Sequence, residues 1–181
     1  DELIIRDDCS TDSTYQLLTN LKNNSKSSII LSRNKVNMGP SKTFEKLIRR
    51  AEKDIIVFSD QDDIWLDGRI NTITDYCKEG KAITLNSISV SDENTQNTFN
   101  VCPPSKNIIK NIIKPSFIGC HLAGRREIIQ KYLPFPKSVY MYDMYLGIIF
   151  MLEGDIKKEN TPSMIYRRHD SVYTPKKTSM R

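Results

Sequence analysis

Acidic side chains carry most of the chemistry this 181-residue sequence could perform. Asp7-Asp8 closes the short apolar run Leu3-Ile4-Ile5, and Ser59-Asp60-Gln61-Asp62-Asp63 closes a second, Ile55-Ile56-Val57-Phe58. Carboxylates packed together repel and raise one another's pKa, and a divalent cation is the simplest way to keep them ionised. Oxygen donors point to Mg2+ or Mn2+ rather than zinc. Mg2+ typically takes one or two carboxylates and fills its shell with water and substrate phosphates, so a phosphate-bearing substrate is expected. A lone Asp-x-Asp would more often solvate a turn or cap a helix. The triplet here follows an apolar strand, matches a second acidic strand end and precedes Trp65, which favours function.

Other residues are weaker candidates. Asp143 is the only charge in the apolar stretch Val139 to Leu152. Burial would raise its pKa and suit it to proton transfer, and capping a helix N-terminus is an equal alternative. Of the two histidines, His121 lies in a strand-like segment and reads as an ordinary hydrogen-bonded side chain. His169 follows Arg167-Arg168, where cations could meet a diphosphate, and a solvated turn is the competing account. Trp65 reads as a packing anchor. Cys9, Cys77, Cys102 and Cys120 form no CxxC pair, so a zinc site is not expected and reduced cytosolic thiols are. Cys9 and Cys120 read as small core residues.

The elements that must position these groups follow from periodicity. Strands are expected at Leu3 to Ile5, Ser28 to Leu31 and Ile55 to Phe58. Between them, Ser13-Thr14-Tyr15-Gln16 has the spacing of a capping box, and Gly39-Pro40 opens a helix with Phe44, Leu47, Ile48 and Ala51 on one face. Apolar strands alternating with helices predict an α/β fold with a mostly parallel sheet flanked by helices. In such a sheet, ligands bind outside the carboxyl ends of the strands, which brings both acidic segments to one rim. Farther on, helices are expected at Trp65 to Cys77, Arg125 to Tyr132 and Tyr140 to Leu152. Strands are expected at Lys81 to Val90, Phe117 to Ala123 and Met164 to Arg168, with a loop from Ser91 to Lys106.

Composition bounds the rest. Net charge is +5, but the basic residues are scattered, so nucleic acid is not an expected partner. No apolar run reaches the roughly 20 residues of a membrane-spanning helix. A single domain over 1–170 is expected, with a basic flexible tail at 171–181.

Several segments resemble one family. Asp7-Asp8-Cys9-Ser10-Thr11-Asp12-Ser13-Thr14 is similar to the "DDxSTDxT" segment of family 2 glycosyltransferases, and Asn37-Met38-Gly39 to their "NxG" segment. Phe58 to Trp65 resembles the "DQDDIW" form of the DxD motif found in bacterial rhamnosyltransferase-like members. Phe117 to Ala123 is similar to "GCxxA", Tyr142-Asp143-Met144-Tyr145-Leu146 stands where relatives carry "HDWWL", and Tyr166-Arg167-Arg168-His169 resembles "YRQH". The order holds across residues 3–169, which makes the set far more specific than any single motif.

The resemblance implies a GT-A, Rossmann-like domain that moves a sugar from a nucleotide diphosphate to an acceptor hydroxyl with inversion. It implies Asp8 and Asn37 near the base, Asp60 at the ribose and metal-bound phosphates, and Asp62 on Mn2+ or Mg2+. It further implies Asp143 as catalytic base, Arg168 as a donor-binding residue and His169 as an added metal or diphosphate contact. A dTDP- or UDP-sugar donor, a glycan or lipid-linked acceptor, and a cytoplasmic location with peripheral membrane association are its further expectations. Two departures stand out. The family's first strand is absent, so the domain is expected to be N-terminally truncated, and Tyr142 replaces the usual His. A nucleotidyltransferase and a degenerate sugar-nucleotide-binding module are the alternatives.

Overall fold

A computed structural model describes residues 1–79, 82–90, 98–101, 104–154 and 156–167. The first third alternates as its apolar runs predict: β1 (Leu3–Asp7), α1 (Thr14–Asn24), β2 (Ile29–Arg33), α2 (Pro40–Arg50) and β3 (Ile55–Val57). β1 and β2 pair in parallel, Leu3 opposite Ile29 through Asp7 opposite Arg33. Pro40 occupies the first helical position of α2, where a missing N–H costs nothing. The capping box expected at Ser13 does not form: its side chain makes no cap bond. Asp12 Oδ1 instead accepts from the Thr14 amide at 3.0 Å.

The remaining elements are β4 (Ile64–Trp65), α3 (Arg69–Lys78), β5 (Ala82–Val90), β6 (Thr98–Val101), α4 (Ile108–Ile113), a 3-10 turn at Gly119–His121, β7 (Leu122–Arg125), α5 (Arg126–Lys131), α6 (Tyr142–Leu152) and β8 (Ile156–Arg167). Trp65, expected to open a helix, lies in β4 instead. Gly68 at φ +80° takes the left-handed turn that lets α3 begin at Arg69. The expected loop from Ser91 to Lys106 contains β6, the expected strand at Phe117 is interrupted by the 3-10 turn, and α4 has no counterpart among the expected elements.

The mostly parallel sheet is corrected. β1 and β2 form a two-stranded sheet, and a second sheet of six strands has the order β3-β7-β5-β8-β4 with β6 paired to β5. Within it β3–β7, β5–β7, β5–β6 and β4–β8 are antiparallel, and only β5–β8 is parallel. An apolar run buried on both faces reads the same in either orientation, so the sequence reveals the strands without their partners.

Strand alternation sorts the core into two layers. Ala82 and Leu122 face a cluster with Ile48, Phe58, Ile129, Leu146 and Phe150, while Ile83, Leu85 and Ala123 face Ile73 and Cys77 on α3. α6 lies close because Gly147 carries no side chain: a Cβ there would come within 2.2 Å of the Phe117 ring. Among the described residues no helix is long and apolar enough to cross a membrane. The tail at 171–181 lies outside the described residues.

Gly147→Ala should therefore destabilise the fold by about 1–3 kcal/mol, since the contact is a ring held in the core rather than a flexible tip. Urea unfolding followed by far-UV circular dichroism measures it, and an unchanged midpoint would mean that α6 can slide outward freely.

Candidate metal and carboxylate site

The two acidic segments divide their labour. Asp7 is buried and structural: its Oδ2 pairs with Arg33 Nε at 2.9 Å and accepts from the Ser10 amide at 3.1 Å. The chain then turns through Cys9, a non-glycine residue at φ 66°, an uncommon left-handed conformation. Asp8 beside it accepts from the amides of Met38 and Gly39, each at 2.8 Å, and from Asn34 Nδ2 at 2.7 Å. Burial raises its pKa, but these donors outweigh it, and the carboxyl sits below its usual range and ionised. Gly39 precedes α2, so the charge also meets the positive end of that helix. Asn37 shares the site, its Oδ1 accepting from the Gly39 amide at 3.2 Å. Asp8 and Asn37 are thus brought together. Asn34, buried and also bonded to Thr43 Oγ1 at 3.0 Å, organises this corner. Nothing in its sequence neighbourhood marked it.

The second group forms where β3, the 3-10 turn and α6 meet. One ligand atom each from Asp60, Asp63 and Cys120 lies within 4.8 Å of the other two, an arrangement that could hold a metal ion. Asp62 adds its charge to Asp60 but is not one of these three. Its backbone oxygen accepts from Arg167 Nε, while Asp63 Oδ1 accepts from the Arg167 amide at 3.2 Å. Asp63 Oδ2 is buried with no hydrogen-bond partner. A buried carboxylate oxygen without a donor is costly, and a cation would satisfy it, so these residues fit a divalent metal. Two hard carboxylates suit Mg2+ or Mn2+, and a thiol beside them is softer than Mg2+ prefers.

Electrostatics agrees with crowding. Burial, then the charges of Asp63, Asp62 and Asp143, push Asp60 up to about 6 despite a hydrogen bond from the Cys120 thiol. Burial likewise raises Asp63. Burial and the neighbouring carboxylates push the Cys120 thiol far up, so it stays protonated without metal. Its role as a small core residue is therefore incomplete, because the thiol also touches both acids.

Asp143 belongs to the same group. It sits in the first turn of α6 but does not cap it, the cap position being Met141. Its pKa is raised by burial, an effect partly offset by the amides of Met144, its own residue and Gly119. Tyr142 beside it is buried, stacked on Phe44 at 4.2 Å, and fills the space a side chain on Gly119 would need. The helix that follows the Asp8 corner reaches the segment that leads into α6: Ser41 Oγ on α2 donates to the Tyr140 oxygen at 2.7 Å.

Arg69 lies behind the acids and is almost wholly buried. It donates to the Cys120 oxygen at 2.6 Å and to Ser163 Oγ at 2.9 Å, and stacks on Trp65 at 4.9 Å. Trp65 is therefore a stacking face as well as a packing residue. Burial lowers the Arg69 pKa to about 10, so it remains charged. Burial and that cation lower His121 to about 4; the neutral ring hydrogen-bonds Ser87 Oγ at 2.9 Å, as expected of a structural histidine. The Arg69 tether had no motif to announce it. Arg168 and His169 lie outside the described residues. Cys9, Cys77 and Cys120 carry free thiols.

The sign of the pH dependence follows. A raised Asp60 means that the folded protein holds a proton the unfolded chain releases near its ordinary value, so metal-free stability falls as pH rises through about 6. Metal must displace that proton, so Mn2+ affinity should be about ten-fold weaker at pH 5 than at pH 7. Calorimetric titration at both values tests this, and equal affinities would remove Asp60 from the metal shell.

The glycosyl transferase family 2 profile matches residues 1–133. Among solved structures, S. aureus TarS 1–349 in complex with UDP-GlcNAc is similar with TM-score 0.70 and 17% identity over 96% of this chain and 52% of that one. The mannosyltransferase PcManGT from Pyrobaculum calidifontis, in complex with GDP-Man and Mn2+, is similar with TM-score 0.65 and 16% identity over 92% of this chain and 47% of that one. The chain thus spans about half the length of these structures. No curated protein matches it.

Proposed function

The chain belongs to glycosyl transferase family 2, and on that premise we propose that it transfers a sugar from a nucleotide diphosphate to an acceptor hydroxyl with inversion. The observation that carries this reading is the convergence of Asp60, Asp63 and Cys120, with Asp143 close enough to act on Asp60.

Asp8 and Asn37 flank the nucleotide base, beside the start of α2. Asp60 and Asp62 approach the ribose and diphosphate. A divalent cation held by Asp60 and Asp63, with Asp62 alongside, would neutralise the departing diphosphate. Arg168 and His169 are assigned to the same diphosphate. Asp143 takes the proton of the acceptor hydroxyl as its oxygen attacks the anomeric carbon, the sugar–phosphate bond breaking on the opposite face. Its raised pKa makes the ionised form a stronger base than an exposed aspartate. No covalent sugar–protein intermediate forms. The "DQDDIW" form of the acidic motif supports the rhamnosyltransferase-like branch and a dTDP-sugar, with a UDP-sugar as the other donor. A glycan or lipid-linked acceptor in surface polysaccharide synthesis completes the reading.

Release of UDP or dTDP from the corresponding sugar nucleotides in the presence of Mn2+ tests the activity. Asp143→Asn should lower kcat by roughly 10²–10⁴-fold with little change in donor affinity. Turnover equal to the parent chain would remove Asp143 as the base, and a product of retained anomeric configuration would exclude the single displacement.

Cys120→Ser offers a separate check on the metal shell. It keeps a donor beside Asp60 and Asp63 but hardens it, so the preference for Mn2+ over Mg2+ should narrow. The ratio of the two dissociation constants measures this, and an unaltered ratio would leave the thiol outside the shell.

A further inference from the structure

We infer that the outward face of α4 docks on an anionic lipid surface. This does not rest on the glycosyltransferase reading. Ile109, Ile112 and Ile113 are 62%, 58% and 78% exposed, three large apolar side chains on one six-residue helix. Scattered exposed isoleucines are ordinary, but a clustered set marks a surface that something covers.

The fold holds this face outward. Asn111, on the opposite side of α4, is fully buried. It accepts from the Ser105 amide at 2.9 Å and Ser116 Oγ at 3.1 Å, and donates to the Ser105 oxygen at 2.8 Å. It also donates to Met151 Sδ on α6 at 3.1 Å. With that side chain tied inward, helical geometry turns Ile109 and Ile113, each two residues away, to the far side. The isoleucines cannot be sheltered by rolling the helix without breaking these bonds.

Charge selects the occupant. Lys110 on α4 and Lys106 and Lys114 just beyond its ends are exposed, and no Asp or Glu occurs between residues 94 and 126 of the sequence. Apolar side chains bordered by lysines suit an interface where the chains enter the acyl boundary and the ammonium groups meet anionic headgroups. A second copy fits poorly, because a two-fold contact would bring a second set of the same three lysines to this face with no acid to meet them. A protein partner is also disfavoured, since lysine is depleted at such interfaces.

Flotation of the 181-residue chain with vesicles tests this. Vesicles of phosphatidylcholine with roughly one third phosphatidylglycerol should bind at least ten-fold more tightly than phosphatidylcholine alone. Lys110→Glu with Lys114→Glu should weaken that binding by more than about 25-fold, since losing each lysine costs roughly five-fold and each added carboxylate is repelled as well. Lys22→Glu with Lys26→Glu makes the same change in net charge on and beside α1, and should cost less than about three-fold at physiological salt. Replacing all three isoleucines by Ser should also release the protein, with circular dichroism unchanged. Equal binding to both vesicle types, equal loss in the α1 control, or isoleucine-dependent dimers in sedimentation without vesicle binding would each overturn the inference.

Discussion

Like charges held together in a partly buried region are the constraint around which this site is arranged. Burial, then the charges of Asp63, Asp62 and Asp143, push Asp60 up to about 6. Such a group persists only if surrounding structure forces it. Three elements do so. β3 delivers the acidic segment, the 3-10 turn brings Cys120 against it, and the first turn of α6 adds Asp143. Arg69 fastens the turn to β8 from behind, and its charge favours the ionised form of Asp63.

The first acidic pair is governed by the opposite principle. Asp8 is stabilised as an anion by two backbone amides at the start of α2. The two acidic segments therefore differ: one holds a carboxylate kept ionised by donors, the other carboxylates whose charge is opposed by burial and crowding. Under the proposed function, the first segment would meet the neutral base and the second the metal-bound diphosphate.

The mixed sheet explains how segments distant in sequence assemble this cluster. β7 enters between β3 and β5, antiparallel to both, so the turn before it stands directly beside the end of β3. Phe58 continues past β3, its amide donating to the Leu122 oxygen at 3.1 Å, and Asp60 follows two residues later. Close approach of α6 depends on the missing side chains at Gly147 and Gly119, which leave room for Phe117 and Tyr142.

Local sequence by itself determined the strands and helices of the first third, the acids at the strand ends, and Asp143 as an isolated charge in an apolar helix. These are short-range signals: period, turn chemistry and charge against an apolar background. Tertiary structure alone decided which acids converge. Asp63 and Cys120 are 57 residues apart and meet because β3 pairs with β7. The buried Arg69, the donors on Asp8 and the antiparallel pairings are likewise contacts between segments distant along the chain. Residue spacing along a chain says which side chains share a face, but strand partners are chosen by packing of the whole, and that choice built the site.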